Sequence, residues 1–258
     1  MLGAIARAKV SDGTTLVVFP ETTLSGFPTR ENVASVAQPI DGPALSRVRD
    51  AARHAGVTVA VGFAELAGAR YFNTTVLIDA AGDIVLRYRK THLWASDDGV
   101  FTAGDRFEVC RWNGLTVGLL ICFDIEFPET ARALAHLGAD LLIVTNGNMD
   151  PYGPVHRRAI AARAMENQVF ALMANRCGAG DQPLTFPGQS ALINPYGETV
   201  QAAECEAIQL PVQLDLTQIA ASRKDYRYLQ DARIKLALEP APGGAHALVI
   251  PARAHPHT

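Results

Sequence analysis

The sequence predicts a single mixed α/β domain, and three observations carry that reading. Apolar, β-branched runs at 14–19, 115–121 and 140–145 have the composition of strands buried on both faces. Helix-forming segments at 43–55 and 130–137 each close on a glycine, Gly56 and Gly138. Hairpins and strand–helix units alternate with no break in composition and no solenoid-length repeat, and 258 residues suffice to bury a substantial core.

Residues 1–10 read as an amphipathic helix, with Leu2, Ile5 and Ala6 on one side, Arg7 and Lys9 on the other, and Ser11-Asp12-Gly13 ending it. Thr-Thr-Leu-Val-Val-Phe at 14–19 is a buried strand that Pro20 stops. Glu21 follows at once, ahead of the Gly26-Phe27-Pro28 turn, at the strand end where open α/β folds place ligands. The alternative is a loop acid capping the next helix. A helix at 43–55 and a strand at 57–64 come next. The strands 71–78 and 84–89 form a hairpin through Ala81-Gly82-Asp83. Lys90 stands at its end, and Leu93 and Trp94 turn the chain back into apolar surroundings; the alternative is an exposed lysine. A loop over 95–105 carries the adjacent acids Asp97 and Asp98.

The run 115–121 delivers Cys122, after which acidic and aromatic residues lead to Pro128 and the Ala-rich helix. Backbone N–H groups and the positive end of a helix macrodipole near such a strand-to-helix turn favour thiolate over thiol. The alternative is a buried cysteine packing as a small hydrophobe. The strand 140–145 runs into the polar loop Asn146-Gly147-Asn148, which makes Asn146 a candidate substrate-binding or supporting residue. A helix over 155–167 carries Arg157, Arg158, Arg163 and Glu166. A strand at 169–175, a Gly- and Pro-containing loop to Gly188, a hairpin of 190–194 with 199–203 and a last strand at 207–216 complete the domain, 1–238. The Pro-, Gly-, Ala- and His-rich residues 239–258 read as a mobile or partner-contacting tail.

The formal net charge is −3 and no basic run is present, so neither nucleic acid nor a membrane surface is an expected partner. No apolar stretch has spanning length, and no secretory signal pattern opens the chain. The four cysteines, Cys110, Cys122, Cys177 and Cys205, lie far apart without a CxxC pair, which fits a reducing, cytoplasmic compartment. The seven histidines form no HxH or HExxH pattern, so no metal is expected. His54, His136 and His156 read as surface or satisfied core residues.

Glu21, Lys90 and Cys122 thus stand at strand ends as an acid, a cation and a thiol. That set can attack a carbonyl carbon without histidine. The carboxylate takes the thiol proton and passes it to a leaving amine, and the ammonium holds the oxyanion beside the N–H of Phe123. Water then attacks the thioester. No cofactor is implied.

At Phe19-Pro20-Glu21, Tyr88-Arg89-Lys90-Thr91-His92-Leu93 and Cys122-Phe123-Asp124 with Phe127-Pro128-Glu129, the chain resembles the nitrilase or carbon-nitrogen hydrolase superfamily. Arg163-Ala164-Met165-Glu166-Asn167 with Ala174-Asn175, and Phe186-Pro187-Gly188-Gln189-Ser190 with Pro195-Tyr196-Gly197, extend the likeness from Thr14 to about Leu236. The resemblance implies a four-layer α-β-β-α sandwich, commonly paired into a homodimer or a higher homo-oligomer. It also implies Glu21 as general base, Lys90 as oxyanion stabiliser and Cys122 as nucleophile. Two departures stand out. Where many members carry a second glutamate after the lysine, this chain has Asp97; either the loop moves inward or this acid has a weaker role. Members also begin with a strand that is absent here, which would leave an unpaired sheet edge and points to a truncated reading frame.

Cys-Phe-Asp-Ile-Glu-Phe-Pro-Glu looks more like the amidase branches than like true nitrilases. In branches that cleave ω-amides, the position of Glu126 is often arginine, a partner for a free carboxylate. Glu126 would repel that carboxylate, so the expected substrate is a small neutral or amine-bearing amide and 2-oxoglutaramate is expected to be poor. The alternative for Glu126 is a salt bridge to a nearby arginine, and Arg157 and Arg158 are further candidates for the pocket wall. A second class of reading is a catalytically weak relative that binds a ligand or partner. A serine hydrolase using Ser190 is disfavoured because Gly188-Gln189-Ser190-Ala191-Leu192 lacks the second glycine of a nucleophile elbow, and no histidine has a motif that supports a papain-like pair.

Overall fold

The structure, a computed structural model, describes residues 1–8, 13–180, 184–206, 208–241 and 246–251. Helix α1 (Leu2–Ala8) leads to strand β1 (Leu16–Val18), the single-turn helix α2 (Val33–Val36) and helix α3 (Pro43–Ala55). Helix α3 has Pro43 in its first turn and ends at Gly56 with φ of 67°, the left-handed position that glycine takes without a Cβ penalty. Strands β2 (Thr58–Ala67), β3 (Arg70–Ile78) and β4 (Ile84–Arg89) complete a sheet of order β1-β2-β3-β4. The period of two along β2 and β3 divides their side chains. Val59, Val61, Phe63, Val76 and Ile78 pack against Ile5, Leu45 and Val48 of the outer helices, while Ala60 and Leu77 face the other sheet.

Strands β5 (Arg106–Trp112) and β6 (Leu115–Ile121), helix α4 (Pro128–His136), strand β7 (Leu141–Asn146), helix α5 (Gly153–Asn167) and strand β8 (Phe170–Asn175) build the second half. A short pair, β9 (Cys177–Ala179) and β10 (Thr185–Pro187), precedes the hairpin of β11 (Ala191–Ile193) and β12 (Thr199–Ala202). Helices α6 (Thr217–Ser222) and α7 (Tyr228–Asp231) follow, and then strands β13 (Glu239–Pro240) and β14 (Ala247–Val249). The second sheet has the order β12-β11-β8-β7-β6-β5-β14-β13, with β6, β7 and β8 parallel at its centre. Its central strands are buried runs covered outside by α4 and α5, so the layers are helix, sheet, sheet, helix.

Three parts of the chain differ from their sequence reading. Strand β5 was not foreseen, although Asn113 and Gly114, at φ 46° and 81°, form the two-residue turn that joins it to β6. The expected strand at 207–216 forms no ladder among residues 208–216; residue 207 lies outside the described residues. Pro211 lacks the donor a ladder needs, and the apolar alternation serves packing instead, with Val212 and Leu214 against the core. Beyond Leu238, β14 pairs with β5 and Leu248 packs on the core, so the described part of the presumed mobile tail is attached to the sheet. Of the first helix and its stop, residues 9–12 lie outside the described residues. Strand β1 pairs with β2 alone among the described strands. No helix is long and apolar enough to cross a membrane.

The first sheet carries a buried carboxylate that makes stability depend on pH. Glu65 of β2 accepts from Arg89 Nε at 2.8 Å and Nη2 at 2.6 Å, and from Thr74 Oγ1 at 2.7 Å. Burial opposes its charge, yet these bonds and the charges of Arg89 and Arg87 hold its pKa below the ordinary 4.5. A depressed folded pKa means that this contribution is complete above the unfolded value and is lost as pH falls through the folded one. Urea midpoints should therefore drop between pH 6 and pH 3 with a smaller slope in Glu65→Gln than in the wild type. Equal slopes would show that Glu65 is not a source of acid sensitivity.

Candidate active site

Three strand ends meet where the two sheets face each other: β1 through Pro20 and Glu21, β4 through Lys90, and β6 through Cys122. Glu21 lies in a tight turn with Thr22 at φ 45°, pressed so closely onto β2 that a Cβ on Gly62 would come within 2.6 Å of Thr22 N. Glycine at that position lets the acid reach the inter-sheet space. Its turn is tied down from the second sheet, where Arg176 donates to the carbonyls of Glu21 and Thr22 at 3.1 and 3.2 Å and lies over the Phe27 ring at 4.2 Å.

The Glu21 carboxylate is 1% exposed and accepts from Asn73 Nδ2 at 2.7 Å and Lys90 Nζ at 2.9 Å. Lys90 also donates to Asp97 Oδ2 at 2.6 Å, and that oxygen accepts from Trp94 N at 3.0 Å. Asp97 thus reaches the Lys90 ammonium despite its shorter side chain. Burial works against the Lys90 charge, but the carboxylates of Glu21 and Asp97 outweigh it and hold its pKa well above the ordinary value.

Cys122 is at φ 46°, a conformation that a non-glycine residue keeps only when its surroundings impose it. A 3-10 turn, Cys122–Glu126, separates β6 from α4. That separation corrects the expected charge state. The macrodipole fades within a helix's first turn, and the first turn of α4 begins six residues beyond the thiol. Burial and the Glu21 carboxylate, to which the thiol hydrogen-bonds, push the Cys122 pKa well above its ordinary value, against the opposing pull of Lys90 and of the Gly147 N–H. At rest Cys122 is a thiol with its proton directed at Glu21. A Cβ on Gly147 would lie 2.5 Å from Glu21 Oε2 and 2.3 Å from Phe27 Cζ, so only glycine lets this loop approach the carboxylate.

Asp124 fixes the turn. Its carboxylate is fully buried and accepts from Tyr88 Oη at 3.0 Å, Thr91 Oγ1 at 2.9 Å, His92 N at 3.0 Å and Ile121 N at 3.1 Å. The residues after Lys90 and those flanking Cys122 are thereby joined to one side chain.

A cavity of about 470 Å³ opens over this constellation, lined by Glu21, Lys90, Cys122, Phe123 and Glu126 among others. Glu126 makes no ion pair with arginine among the described residues; its Oε1 lies 3.0 Å from His156 Nε2. Asn146 stands behind the wall: its main-chain carbonyl accepts from Glu21 N at 3.2 Å, and its Oδ1 meets His156 Nδ1 at 3.0 Å. Arg157 and Arg158 are exposed and off the wall. His156, Asn73 and Arg176 were not foreseen as site residues. The one available signal was a polar residue, Asn73, within the buried run of β3. Among the described residues no cluster of His, Cys, Asp or Glu is arranged to hold a metal.

The profile of the carbon-nitrogen hydrolase family matches residues 1–224. An (R)-stereoselective amidase from a Pseudomonas species is 51% identical over 247 residues, 95% of this chain and 90% of that protein. A glutamate-to-glutamine mutant of the amidase from Nesterenkonia sp. AN1, with the acetamide moiety of fluoroacetamide covalently added at its active-site cysteine, superposes with a TM-score of 0.80 at 29% identity, covering 90% of this chain and 85% of that one. A cysteine-to-alanine mutant of the same amidase in complex with butyramide gives a TM-score of 0.77 at 29% identity, with 90% and 85% coverage.

Proposed function

The chain belongs to the carbon-nitrogen hydrolase family, and from that membership we propose that it hydrolyses small linear amides to acid and ammonia through a thioester on Cys122. Glu21 is the general base: it takes the thiol proton as Sγ attacks the amide carbon. Lys90 Nζ and the N–H of Phe123 hold the oxyanion, and Asp97 keeps Lys90 charged and in place. Glu21 then returns the proton to the leaving ammonia. It next deprotonates the water that cleaves the thioester, and the acid departs. The observation that carries this reading is the convergence of Glu21, Lys90 and Cys122, from two sheets, on one cavity, with Lys90 Nζ 2.9 Å from the Glu21 carboxylate.

The carboxyl of Glu126 on the wall supports a neutral or amine-bearing substrate over an ω-amide of a dicarboxylic acid. Ammonia release from a panel of small amides, a nitrile and 2-oxoglutaramate tests both parts. Amides should be cleaved and 2-oxoglutaramate should turn over at least about tenfold more slowly, since its carboxylate would meet the Glu126 oxygens with no donor between them, a cost of about 1–3 kcal/mol. Absence of ammonia release that depends on Cys122 would refute the amidase reading. If 2-oxoglutaramate ranked first, the role given to Glu126 would be wrong.

Exposed apolar side chains on the second half, Ile234 at 90%, Tyr226 at 66% and Leu216 at 45%, support assembly into a homodimer or larger homo-oligomer. The four free cysteines support a cytoplasmic setting.

A further inference from the structure

Beside the nucleophile, Glu126 and His156 make a contact that needs a proton. Asn146 Nδ2 lies 3.2 Å from Met173 Sδ, and a thioether accepts but never donates, so the amide nitrogen faces sulfur and Oδ1 faces His156. His156 Nδ1 must then carry hydrogen and donate to Asn146 Oδ1 at 3.0 Å. A neutral imidazole with its hydrogen at Nδ1 leaves a bare lone pair at Nε2. That lone pair is 3.0 Å from Glu126 Oε1, and a carboxylate is also acceptor-only. One proton therefore lies between them. Both line the cavity; His156 is the more buried member and Glu126, 31% exposed in its side chain, the more open one.

We propose that this pair is the specificity device of the amidase and that it takes an amide bearing a protonated amine, whose ammonium replaces the shared proton. On binding, the pair gives its shared proton to solvent, and the Glu126 carboxylate accepts from the ammonium, which also donates to His156 Nε2. One positive charge enters as one proton leaves, so the cavity beside Lys90 gains no net charge. A hydrocarbon side chain of equal length offers neither donor nor charge. A carboxylate-bearing substrate would place two acceptors face to face.

The surroundings favour this exchange. Burial raises the Glu126 pKa, while burial and the charge of Lys90 lower that of His156 to about 4. Other charged groups near the pair are bonded elsewhere or exposed. Lys90 is bonded to Glu21 and Asp97. On α5, Arg163 is held by Glu166 and the Ile125 carbonyl, and on α4, Arg132 donates to the Glu166 carbonyl. Glu129 of α4 is exposed, as are Arg157 and Arg158 of α5, and β7 has no ionisable side chain.

This inference rests on the amidase reading, and two measurements separate their failures. The first compares kcat/KM for 3-aminopropanamide with that for butyramide, its hydrocarbon isostere, in the wild type and in Glu126→Gln. The wild type should prefer the amine by roughly 10- to 100-fold, the range that a hydrogen bond to a charged group sustains, and the preference should fall to about one in the variant. A merely structural role for Glu126 would lower both rates and preserve their ratio. The second is calorimetry at pH 6 on Cys122→Ala, whose Glu126–His156 pair is intact, in buffers of different ionisation heat. Binding of 3-aminopropanamide should release about one proton and butyramide none. Equal wild-type rates on the two amides, a ratio that survives in Glu126→Gln, or binding of the amine without proton release would each overturn the proposal while leaving the amidase reading intact. No hydrolysis of either amide that depends on Cys122 would overturn both.

Discussion

Cys122→Ala should abolish ammonia release, lowering kcat by roughly 10⁶-fold, the scale seen when a covalent nucleophile is removed, whereas Glu21→Gln should lower it by roughly 10²- to 10⁴-fold. The two losses differ because the alanine variant has no atom to form the thioester, while the glutamine variant keeps the thiol and loses only its proton acceptor. Their reactivities towards a simple alkylating agent should diverge further. Burial and the Glu21 charge hold the Cys122 proton on, and Lys90 pulls the other way. Removing the charge of Glu21 while Lys90 remains should increase the thiolate fraction, so Glu21→Gln should be alkylated by iodoacetamide faster than the wild type although it turns over far more slowly. Alkylation slowing in parallel with turnover would mean that the substitution had displaced Cys122, and the base assignment would fail. With hydroxylamine present, wild-type turnover should yield hydroxamate, since a thioester partitions between nucleophiles; water-only products would argue against the covalent intermediate.

How far the site could be read from the sequence follows from where each determinant lies. Glu21, Lys90 and Cys122 stood out in the sequence because each follows a strand-like run, and the structure brings their side chains to one cavity. The protonation of Cys122 was not legible. It depends on Glu21, a hundred residues earlier on the other sheet, and on a 3-10 turn that separates the thiol from the helix N-terminus. His156 was hidden by its own pattern, for it falls with Ile160, Ala164 and Asn167 on the buried face of α5, where a lone histidine reads as core. Only the meeting of that face with the 3-10 turn makes it a partner of Glu126. The layers of the fold were legible from strand periodicity and helix stops. Strand β5 was missed despite its Asn-Gly turn, because Arg106, Glu108 and Arg111 break up its apolar run.

The largest stability effect should come from Asp124→Ala. Its carboxylate accepts from the hydroxyls of Tyr88 and Thr91 and the amides of His92 and Ile121, all within 3.1 Å, and lies 3.1 Å from His92 Nδ1. Burial and the adjacent Asp124 charge hold the Tyr88 pKa well above its ordinary value, so it remains a phenol and a donor at every working pH. Alanine would leave these groups facing a void. Each buried donor without a partner costs roughly 1–3 kcal/mol, so the summed loss should be about 4 kcal/mol or more even after partial relaxation. Asparagine keeps one acceptor oxygen but turns an amide donor towards other donors, and should cost about half as much. Urea unfolding at pH 7 would measure both, and a loss under about 1 kcal/mol in the alanine variant would refute the role of Asp124 as the organising acceptor. Activity should fall alongside, because the same carboxylate holds Ile121, which precedes Cys122, and Thr91, which follows Lys90. Cys122 and Lys90 come from different sheets, so their relative position is only as fixed as the group that bonds to both neighbours. Excess denaturation by urea should thus first appear as a lower kcat in the asparagine variant, with KM for a neutral amide changing less, since Asp124 touches the turn and not the cavity wall.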